Sequence, residues 1–199
     1  MNYLTSALIG YFLGSFNAAY FLSKAKGFDI REKGTLNPGA SNMTVTLGWS
    51  YGIVTALFDI LKASLAVIIC QWLFPTLEYA GFIGGLASVM GHMYSIFLKF
   101  KGGKGFASYM GMLLAIDWKI ALVLMVASAL ITIITNYIAI ATIFTVIAYP
   151  IYYYTQAQLT PMLYGLIVMA LIIIYRHRKN IVNIIRGKEI GLRSIGKNK

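Results

Sequence analysis

Residues 51–73 read YGIVTALFDILKASLAVIICQWL, an apolar stretch that contains only two charged side chains, Asp59 and Lys62. Its length is close to the ~20 residues that a helix needs to cross ~30 Å of hydrocarbon. Because backbone polar groups must be satisfied internally in lipid, such a stretch favours a transmembrane helix. The two charges lie three residues apart, and we expect them to pair and brace a helix bundle.

The rest of the chain has the same apolar character. Of its 199 residues, 59% are hydrophobic and 12% charged, with a mean hydropathy of +0.73, whereas a soluble domain carries about 25% charged residues. We therefore predict one domain over residues 1–199, an all-α polytopic membrane bundle of seven transmembrane helices. The fourth span is short, so either its flanks dip inward or the preceding loop enters the membrane. The apolar stretches run over 3–23, 51–73, 79–98, 106–116, 120–135, 138–154 and 159–175.

The basic residues predict the orientation of these helices. All 17 lysines and arginines except Lys62 and Lys119 fall within 24–33, 99–104 and 176–199. The positive-inside rule then places the N-terminus outside and the basic tail 176–199 in the cytoplasm. Short basic blocks between apolar stretches are typical of topology signals and phosphate sites, so we expect no nucleic-acid partner.

The first polar segment, residues 27–42, reads GFDIREKGTLNPGASN. Glycine, asparagine and hydroxyl residues form turns and present backbone N–H groups. An ordinary solvated loop would have a similar composition. The density of polar groups favours a site, with Thr35, Asn37 and Asn42 as its candidate residues.

The second segment, residues 99–106, reads KFKGGKGF and precedes the short fourth span. Glycines allow the backbone to approach an anion, and a following helix N-terminus adds partial positive charge. Lysine supplies a point charge for phosphate. A basic hairpin at lipid headgroups would explain the lysines but not the glycines. We predict a phosphate site formed by Gly102, Gly103, Lys104 and Gly105.

The third segment follows the last apolar stretch. His177 and Asn180 are three residues apart and would share a helical face, and histidine exchanges protons near neutral pH. Basic residues are expected there from topology alone. The other histidine, His92, is interpreted as a helix-to-loop hydrogen bonder. With two histidines, one cysteine and no acidic cluster, we expect no metal site.

In this order, the segments resemble the acyl-phosphate:glycerol-3-phosphate acyltransferases, the bacterial PlsY family. The resemblance covers nearly the whole chain. It implies seven helices, an outside N-terminus, and three motifs on the cytoplasmic face of the bacterial plasma membrane. The matching pieces are Gly27-x-Asp29-Ile30-Arg31 with Asn37-Pro38-Gly39-Ala40-Ser41-Asn42, Gly91-His92 with Gly102-Gly103-Lys104-Gly105, His177-Arg178-x-Asn180 with Gly187-x-Glu189, and Asp59-x-x-Lys62.

This sequence also departs from the family pattern. The family usually has Ser-Gly where this chain has Thr35-Leu36, and Arg where it has Val45. Thr35 keeps the hydroxyl. Valine at position 45 cannot make the charge-assisted phosphate contact, worth ~1.5–3 kcal/mol, that an arginine would make. This puts the identity of the acceptor in question more than that of the acyl-phosphate donor.

The resemblance implies transfer of a fatty acyl group from acyl phosphate to the 1-hydroxyl of sn-glycerol 3-phosphate, which gives lysophosphatidic acid without a cofactor. The enzyme must neutralise phosphate charge and orient the hydroxyl on the carbonyl. The proton acceptor is either His177 or the phosphate of the acceptor. The glycine segment would bind the donor phosphate, and Glu189 would orient the basic tail at the substrate site. Acceptor and carbonyl would be positioned by Thr35, Asn37, Asn42, His177 and Asn180.

Two other functions stay open beside this one. A paralogue could use acyl phosphate with another acceptor or with water. A non-catalytic relative could bind membrane lipid and keep only the fold. Retention of Lys104, His177 and Asn180 argues against the second of these, whereas Val45 keeps the first open.

Overall fold

A computed structural model describes residues 2–157 and 159–194, and the regular elements in these ranges are helical. Short 3-10 turns lie at Ile30–Glu32, Ile96–Leu98 and Leu192–Ser194. The α-helices are α1 (Asn2–Ser15), α2 (Ala18–Ala25), α3 (Ala40–Leu47), α4 (Trp49–Leu73), α5 (Ala80–Met93), α6 (Phe106–Ile116), α7 (Trp118–Thr135), α8 (Ile138–Ala157), α9 (Pro161–Arg176) and α10 (Arg178–Ile185).

Several helices have the length and composition of membrane spans. Within the described residues, four meet both criteria, namely Trp49–Leu73, Ala80–Leu98, Trp118–Thr135 and Ile138–Ala157. The pair α9 and α10, bent by 49°, gives a fifth if it is one span, and Phe106–Ile116 is a shorter apolar helix. The outer face of α4 exposes Ile53, Leu57 and Leu61, as expected of a surface in lipid. Seven spans therefore stay a prediction.

The chain divides into two compact units between Trp118 and Lys119. In the first unit, α1 packs closely against α5. A Cβ at Gly10 would overlap the carbonyl oxygen of Gly84, and one at Gly14 would overlap that of Ser88. Gly10 and Gly14 have the spacing of small-residue contacts between membrane helices, and only glycine permits so close a backbone approach.

The continuous helix predicted over 3–23 is wrong. It is interrupted between Ser15 and Ala18. Asn17 begins the next helix as its N-cap, with Oδ1 accepting from the backbone N–H of Tyr20 at 2.9 Å. Asparagine favours this position because its side chain replaces a missing helical hydrogen bond. The buried Lys62 ammonium donates to the carbonyl oxygen of Phe16 at the break, 2.7 Å away.

In the second unit, α7 and α8 are joined by the hydrogen bond between Ser128 Oγ and Thr145 Oγ1 at 2.7 Å. The next helix, α9, begins with Pro161 after Thr160, whose hydroxyl caps it. α9 ends at Arg176 and α10 begins at Arg178, so the bend between them lies at His177.

Candidate functional site

Loop 30–39 of the first unit is organised around the fully buried side chain of Asn42. Its Nδ2 donates to the carbonyl oxygens of Ile30 at 3.0 Å and Lys33 at 2.9 Å. Its Oδ1 accepts from the backbone N–H of Thr35 at 2.7 Å. Both N–H groups and the oxygen of this amide are thus engaged by the loop. Asn42 contributes to the candidate site by shaping the loop around Thr35.

Asn37 and Thr35 are half-buried in this loop. Asn17 anchors it from the helix break, because its Nδ2 donates to the carbonyl oxygen of Pro38 at 3.0 Å. The broken helix and the candidate acceptor loop are therefore one connected structure. Sequence reasoning missed Asn17, although an asparagine between apolar runs is a recognisable N-cap signal.

The side chains of Asp29 and Arg31 form an ion pair at the start of this loop. The Arg31 guanidinium donates from Nε to Asp29 Oδ1 at 3.0 Å and from Nη2 to Oδ2 at 2.7 Å. Paired hydrogen bonds of this kind hold both planar groups in one orientation. The Arg31 guanidinium and the backbone N–H of Arg31, with a smaller contribution from Lys24, lower the pKa of Asp29 to about 2. Asp29 is consequently ionised across the physiological pH range.

The glycine segment 102–105 is held against the end of α5. Gly103 N donates to the carbonyl oxygen of His92 at 3.0 Å, and Gly102 N donates to that of Met93 at 3.1 Å. A Cβ at Gly102 would overlap the His92 carbonyl oxygen, and a Cβ at Gly103 would overlap Nε2 of the imidazole ring. The glycines thus allow a close backbone approach to His92.

Gly105 has φ +92, a left-handed conformation that suits glycine, and α6 begins directly after it at Phe106. The half-buried Lys104 lies between this N-cap and the packed Gly102-Gly103 pair. A helix N-terminus and an ammonium group both attract an anion. The predicted arrangement of glycines, lysine and helix start is present in the structure.

A buried polar cluster lies behind this segment. Lys62 Nζ is 2.7 Å from Asp59 Oδ1 and 3.0 Å from His92 Nδ1, and that nitrogen is 3.2 Å from the same carboxylate oxygen. The exposed fraction is 5% for Lys62, 1% for Asp59 and 3% for His92. The expected pairing of Asp59 with Lys62 is confirmed. The sequence did not predict that His92 joins them.

In the second unit, His177 is buried and its Nδ1 lies 2.9 Å from the carbonyl oxygen of Ile173. A carbonyl oxygen only accepts, so the neutral imidazole carries its proton on Nδ1 and presents the Nε2 lone pair. Asn180 Nδ2 donates to Glu189 Oε1, which ties α10 to the following segment.

The segment that follows α10 is also fixed at its far end, at residues 192–193. Asn136, in the connection between α7 and α8, accepts from Leu192 N at its carbonyl oxygen and from Arg193 N at Oδ1, at 2.9 Å and 2.7 Å. The chain between Asn180 and Arg193 is therefore held at both ends. Residues 195–199 of the predicted tail lie outside the described residues.

Comparison with known proteins agrees with these motifs. The profile of the glycerol-3-phosphate acyltransferase family matches residues 4–187. A relative from Oceanobacillus iheyensis, glycerol-3-phosphate acyltransferase 1, is 38% identical over 202 residues, covering 98% of this chain and 97% of the relative. The chain belongs to the glycerol-3-phosphate acyltransferase family.

Other members of this acyltransferase family are similarly close. The Aquifex aeolicus glycerol-3-phosphate acyltransferase is 34% identical, with 95% of this chain and 98% of the relative covered. Among solved structures, the glycerol 3-phosphate form of PlsY (YgiH), an integral membrane glycerol 3-phosphate acyltransferase, matches with a TM-score of 0.89, 33% identity and 96% coverage of each chain. Its lysophosphatidic acid form matches with a TM-score of 0.87, 32% identity and 98% and 97% coverage.

The structure describes both residues at which this chain departs from the acyltransferase pattern, Leu36 and Val45. Leu36, where the family usually has glycine, has φ +60 and is 61% exposed. That left-handed conformation suits glycine and is strained for leucine. Val45 is half-buried on α3, one turn after Asn42 and therefore on the same helical face.

Proposed function

We propose that this integral membrane protein transfers a fatty acyl group from acyl phosphate to sn-glycerol 3-phosphate and releases lysophosphatidic acid. The observation that carries the proposal is the glycine segment. Gly102 and Gly103 pack without side chains against the end of α5, and Lys104 stands at the start of α6. This combination suits a phosphate ester or anhydride.

The donor is already activated, because its phosphate is a good leaving group. The protein therefore has to hold the donor phosphate, present the acyl carbonyl and orient the acceptor hydroxyl. We assign the donor phosphate to Gly102, Gly103, Lys104 and Gly105. We assign the positioning of acceptor and carbonyl to Thr35 and Asn37 in the loop shaped by Asn42, and to His177 and Asn180. Glu189 orients Asn180 at the substrate-binding segment.

One proton must leave the acceptor hydroxyl during the transfer. The tautomer fixed by the Ile173 carbonyl gives His177 an Nε2 lone pair, which suits a general base. The phosphate of glycerol 3-phosphate, with a second pKa of ~6, is the other candidate for this proton. A His177→Gln variant separates them, because only the histidine mechanism predicts loss of the acidic limb of the kcat profile.

We further propose that residues 1–199 act as one enzyme domain in the bacterial plasma membrane, with residues 24–50, 99–105 and 176–199 on the cytoplasmic side. The distribution of basic residues supports this orientation. Single cysteines introduced into a Cys70→Ser background, labelled in intact cells, test it. Labelling at 99–105 by an impermeant reagent added outside would contradict the orientation.

The decisive experiment gives purified protein acyl phosphate with and without glycerol 3-phosphate, and follows phosphate release and lysophosphatidic acid together. We expect lysophosphatidic acid only with both substrates. Lys104→Ala should abolish transfer in a protein that unfolds at the wild-type temperature, while Lys119→Ala is the matched control outside the motifs. Near-normal turnover by a folded Lys104→Ala variant would refute the donor site.

Val45 favours a second candidate function, in which the same donor reacts with another acceptor or with water. The same experiment distinguishes it. Consumption of acyl phosphate with no product that depends on glycerol 3-phosphate would replace the main proposal with this one.

A further inference from the structure

We propose that the exposed face of α10 binds the headgroups of anionic phospholipids, and that the bound lipid orients Asn180 on the opposite face of the helix. The lipid-binding half of this inference depends on the second unit alone. The kinetic half rests on the proposed function, because it takes Asn180 as a residue of the acyltransferase site.

An exposed stripe of side chains continues from α9 onto α10. Its members recur at intervals of three and four residues, which is the spacing of one helical face. Together α9 and α10 have the length and composition of one membrane span, with a bend of 49° between them. The surface that α9 exposes to lipid therefore continues in register along α10. The stripe consists of Tyr164, Val168, Leu171 and Tyr175 on α9, and of Arg178, Val182 and Ile185 on α10.

The apolar members of the stripe on α10 point to a membrane surface. Ile185 is 79% exposed, and Val182 is exposed one turn before it. Apolar side chains at the boundary of a bilayer insert among the acyl chains, because removal of their surface from water is favourable. A positive-inside signal requires only basic residues and does not account for exposed valine and isoleucine.

Basic side chains border this apolar stripe. Lys179 lies three residues before Val182 and Arg186 lies four residues after it, so both are on the same side of the stripe. Both are exposed, and the only acidic residue between 176 and 194 is Glu189. The counter-ions of these two cations therefore do not come from α10 itself. Anionic headgroups supply negative charge at the end of a membrane span, where α10 begins.

The junction between α9 and α10 marks the depth of this face. Arg178 Nη1 donates to the carbonyl oxygen of Tyr175 at 2.9 Å, and the guanidinium carbon lies 3.9 Å from the centroid of the Tyr175 ring. Tyrosine is enriched at the headgroup level, and a stacked cation is stabilised by its ring. Because α10 follows directly after this pair, the helix begins in the headgroup layer.

The lipid-binding face and the candidate catalytic residue lie on opposite sides of α10. Arg178 and Val182 are each two residues from Asn180, so at ~100° per residue they point away from it. The structure describes α10 in full, and the helix contains no buried residue. Packing within the protein therefore restrains its rotation only weakly. Headgroup contacts on the outer face supply this restraint and set the direction of the Asn180 side chain.

The first test measures lipid contact without turnover. A fluorophore is attached to Ile185→Cys in a Cys70→Ser background, and the full chain is reconstituted in phosphatidylcholine vesicles. These contain either nitroxide-labelled phosphatidylglycerol or nitroxide-labelled phosphatidylcholine. We expect quenching by the anionic lipid to be about twofold stronger or more, and the difference to shrink at high salt. Leu130→Cys, at an exposed position of α7, is the matched control and should be quenched equally by both lipids.

The second test measures kcat in phosphatidylcholine vesicles and in an equimolar mixture with phosphatidylglycerol. Both substrates are saturating, because a negative surface repels anionic substrates and raises their KM by itself. We expect the wild-type kcat to be about threefold higher or more in the mixture. Lys179→Gln/Arg186→Gln should lose this difference and keep its kcat in phosphatidylcholine. The control Lys26→Gln/Lys119→Gln removes two charges elsewhere and should keep the difference.

The apolar part of the face is tested in the same vesicles. Ile185→Ser should reduce the difference in kcat between the two kinds of vesicle, because a hydroxyl does not insert among acyl chains. Ile185→Leu retains the apolar surface and should keep the difference.

Any one of three results would overturn the inference. They are equal quenching at residue 185 by the two labelled lipids, a wild-type kcat that is the same in both vesicles, and an equal loss of the lipid effect in the two charge variants. Crosslinking of Ile185→Cys to a second copy, without quenching, would overturn it in favour of a dimer. Failure of the proposed function is read separately, from whether wild-type protein forms product that depends on glycerol 3-phosphate in either vesicle, and it leaves the quenching result intact.

Discussion

The guanidinium of Arg31 donates from Nη1 to the carbonyl oxygen of Leu98, 3.1 Å away and 67 residues along the chain. The same group is paired with Asp29 through Nε and Nη2. Arg31 therefore connects the loop that contains Thr35 to the turn that precedes the glycine segment. Only the planar fork of arginine can make these contacts at once, since lysine offers a single point charge.

Arg31→Lys should lower the free energy of unfolding by about 1.5–3 kcal/mol and raise the KM for acyl phosphate, because hydrogen bonds to charged groups are lost. Equilibrium unfolding in detergent and steady-state kinetics measure the two effects. Lys24→Ala is the matched control. It also removes a cation from Asp29, but at 3.6 Å and from a half-exposed side chain, so it should cost less than about 1 kcal/mol. Equal losses of unfolding free energy in the two variants would show that the paired hydrogen bonds of the Arg31 guanidinium add no stability beyond a single positive charge.

The lowered pKa of Asp29 predicts a pH dependence of stability. Its folded pKa, about 2, lies below the ordinary value of 3.8. The ionised carboxylate thus contributes stability above pH 4, and this contribution is lost as the pH falls from about 4 to about 2.

The difference in unfolding free energy between wild type and Asp29→Asn isolates this contribution from other carboxylates. It should be about 2 kcal/mol at neutral pH and approach zero near pH 2. A difference that does not change with pH would show that Asp29 gains nothing from its charge in the folded protein.

Leu36→Gly should stabilise the loop by about 0.5–1 kcal/mol, because relief of the left-handed backbone exceeds the extra chain entropy of glycine. Thermal unfolding measures the gain. Leu36→Ala removes the same exposed side chain but keeps a Cβ, so it should show no such gain. If the two variants unfold at the same temperature, backbone strain at residue 36 is not a significant cost.

Val45→Arg should lower the KM for glycerol 3-phosphate about tenfold, the value of one charge-assisted phosphate contact. Residue 45 lies one helical turn from Asn42, whose amide shapes the candidate acceptor loop. Kinetics at fixed acyl phosphate concentration measure this effect, with Val45→Gln as an uncharged control of similar length. An unchanged acceptor KM in Val45→Arg would indicate an acceptor without this phosphate contact.

Asn136→Ala should reduce kcat and loosen the segment 187–193, because Oδ1 of Asn136 accepts from Arg193 N and its backbone has φ +73. Asn136→Asp retains both the acceptor and the tolerance of a left-handed conformation, so it should keep most activity. Limited proteolysis of the tail, followed by mass spectrometry, reports on the segment directly. Equal activity in both variants would mean that the tail contact does not support the Asn180–Glu189 pair.

The composition and pattern of the sequence were sufficient for the helical membrane character of the protein, and for most helix limits. Apolar length and a small number of internal charges predict a membrane helix without any tertiary information, because backbone hydrogen bonds within a helix are local. The helix over 106–116 is the clearest example, since Gly105 and Asp117 bound it in both sequence and structure. The glycine, histidine and asparagine motifs also identified the family.

Only the tertiary structure revealed which side chains hold these motifs in shape. The Asn17–Pro38 hydrogen bond, the Arg31–Leu98 contact and the addition of His92 to the Asp59–Lys62 pair depend on residues separated by tens of positions. A hydrogen bond between distant residues leaves no periodic trace in the sequence, because its geometry is decided by how helices pack. The local pattern of the sequence thus determined the helices and the chemical groups, and packing decided how those groups are oriented.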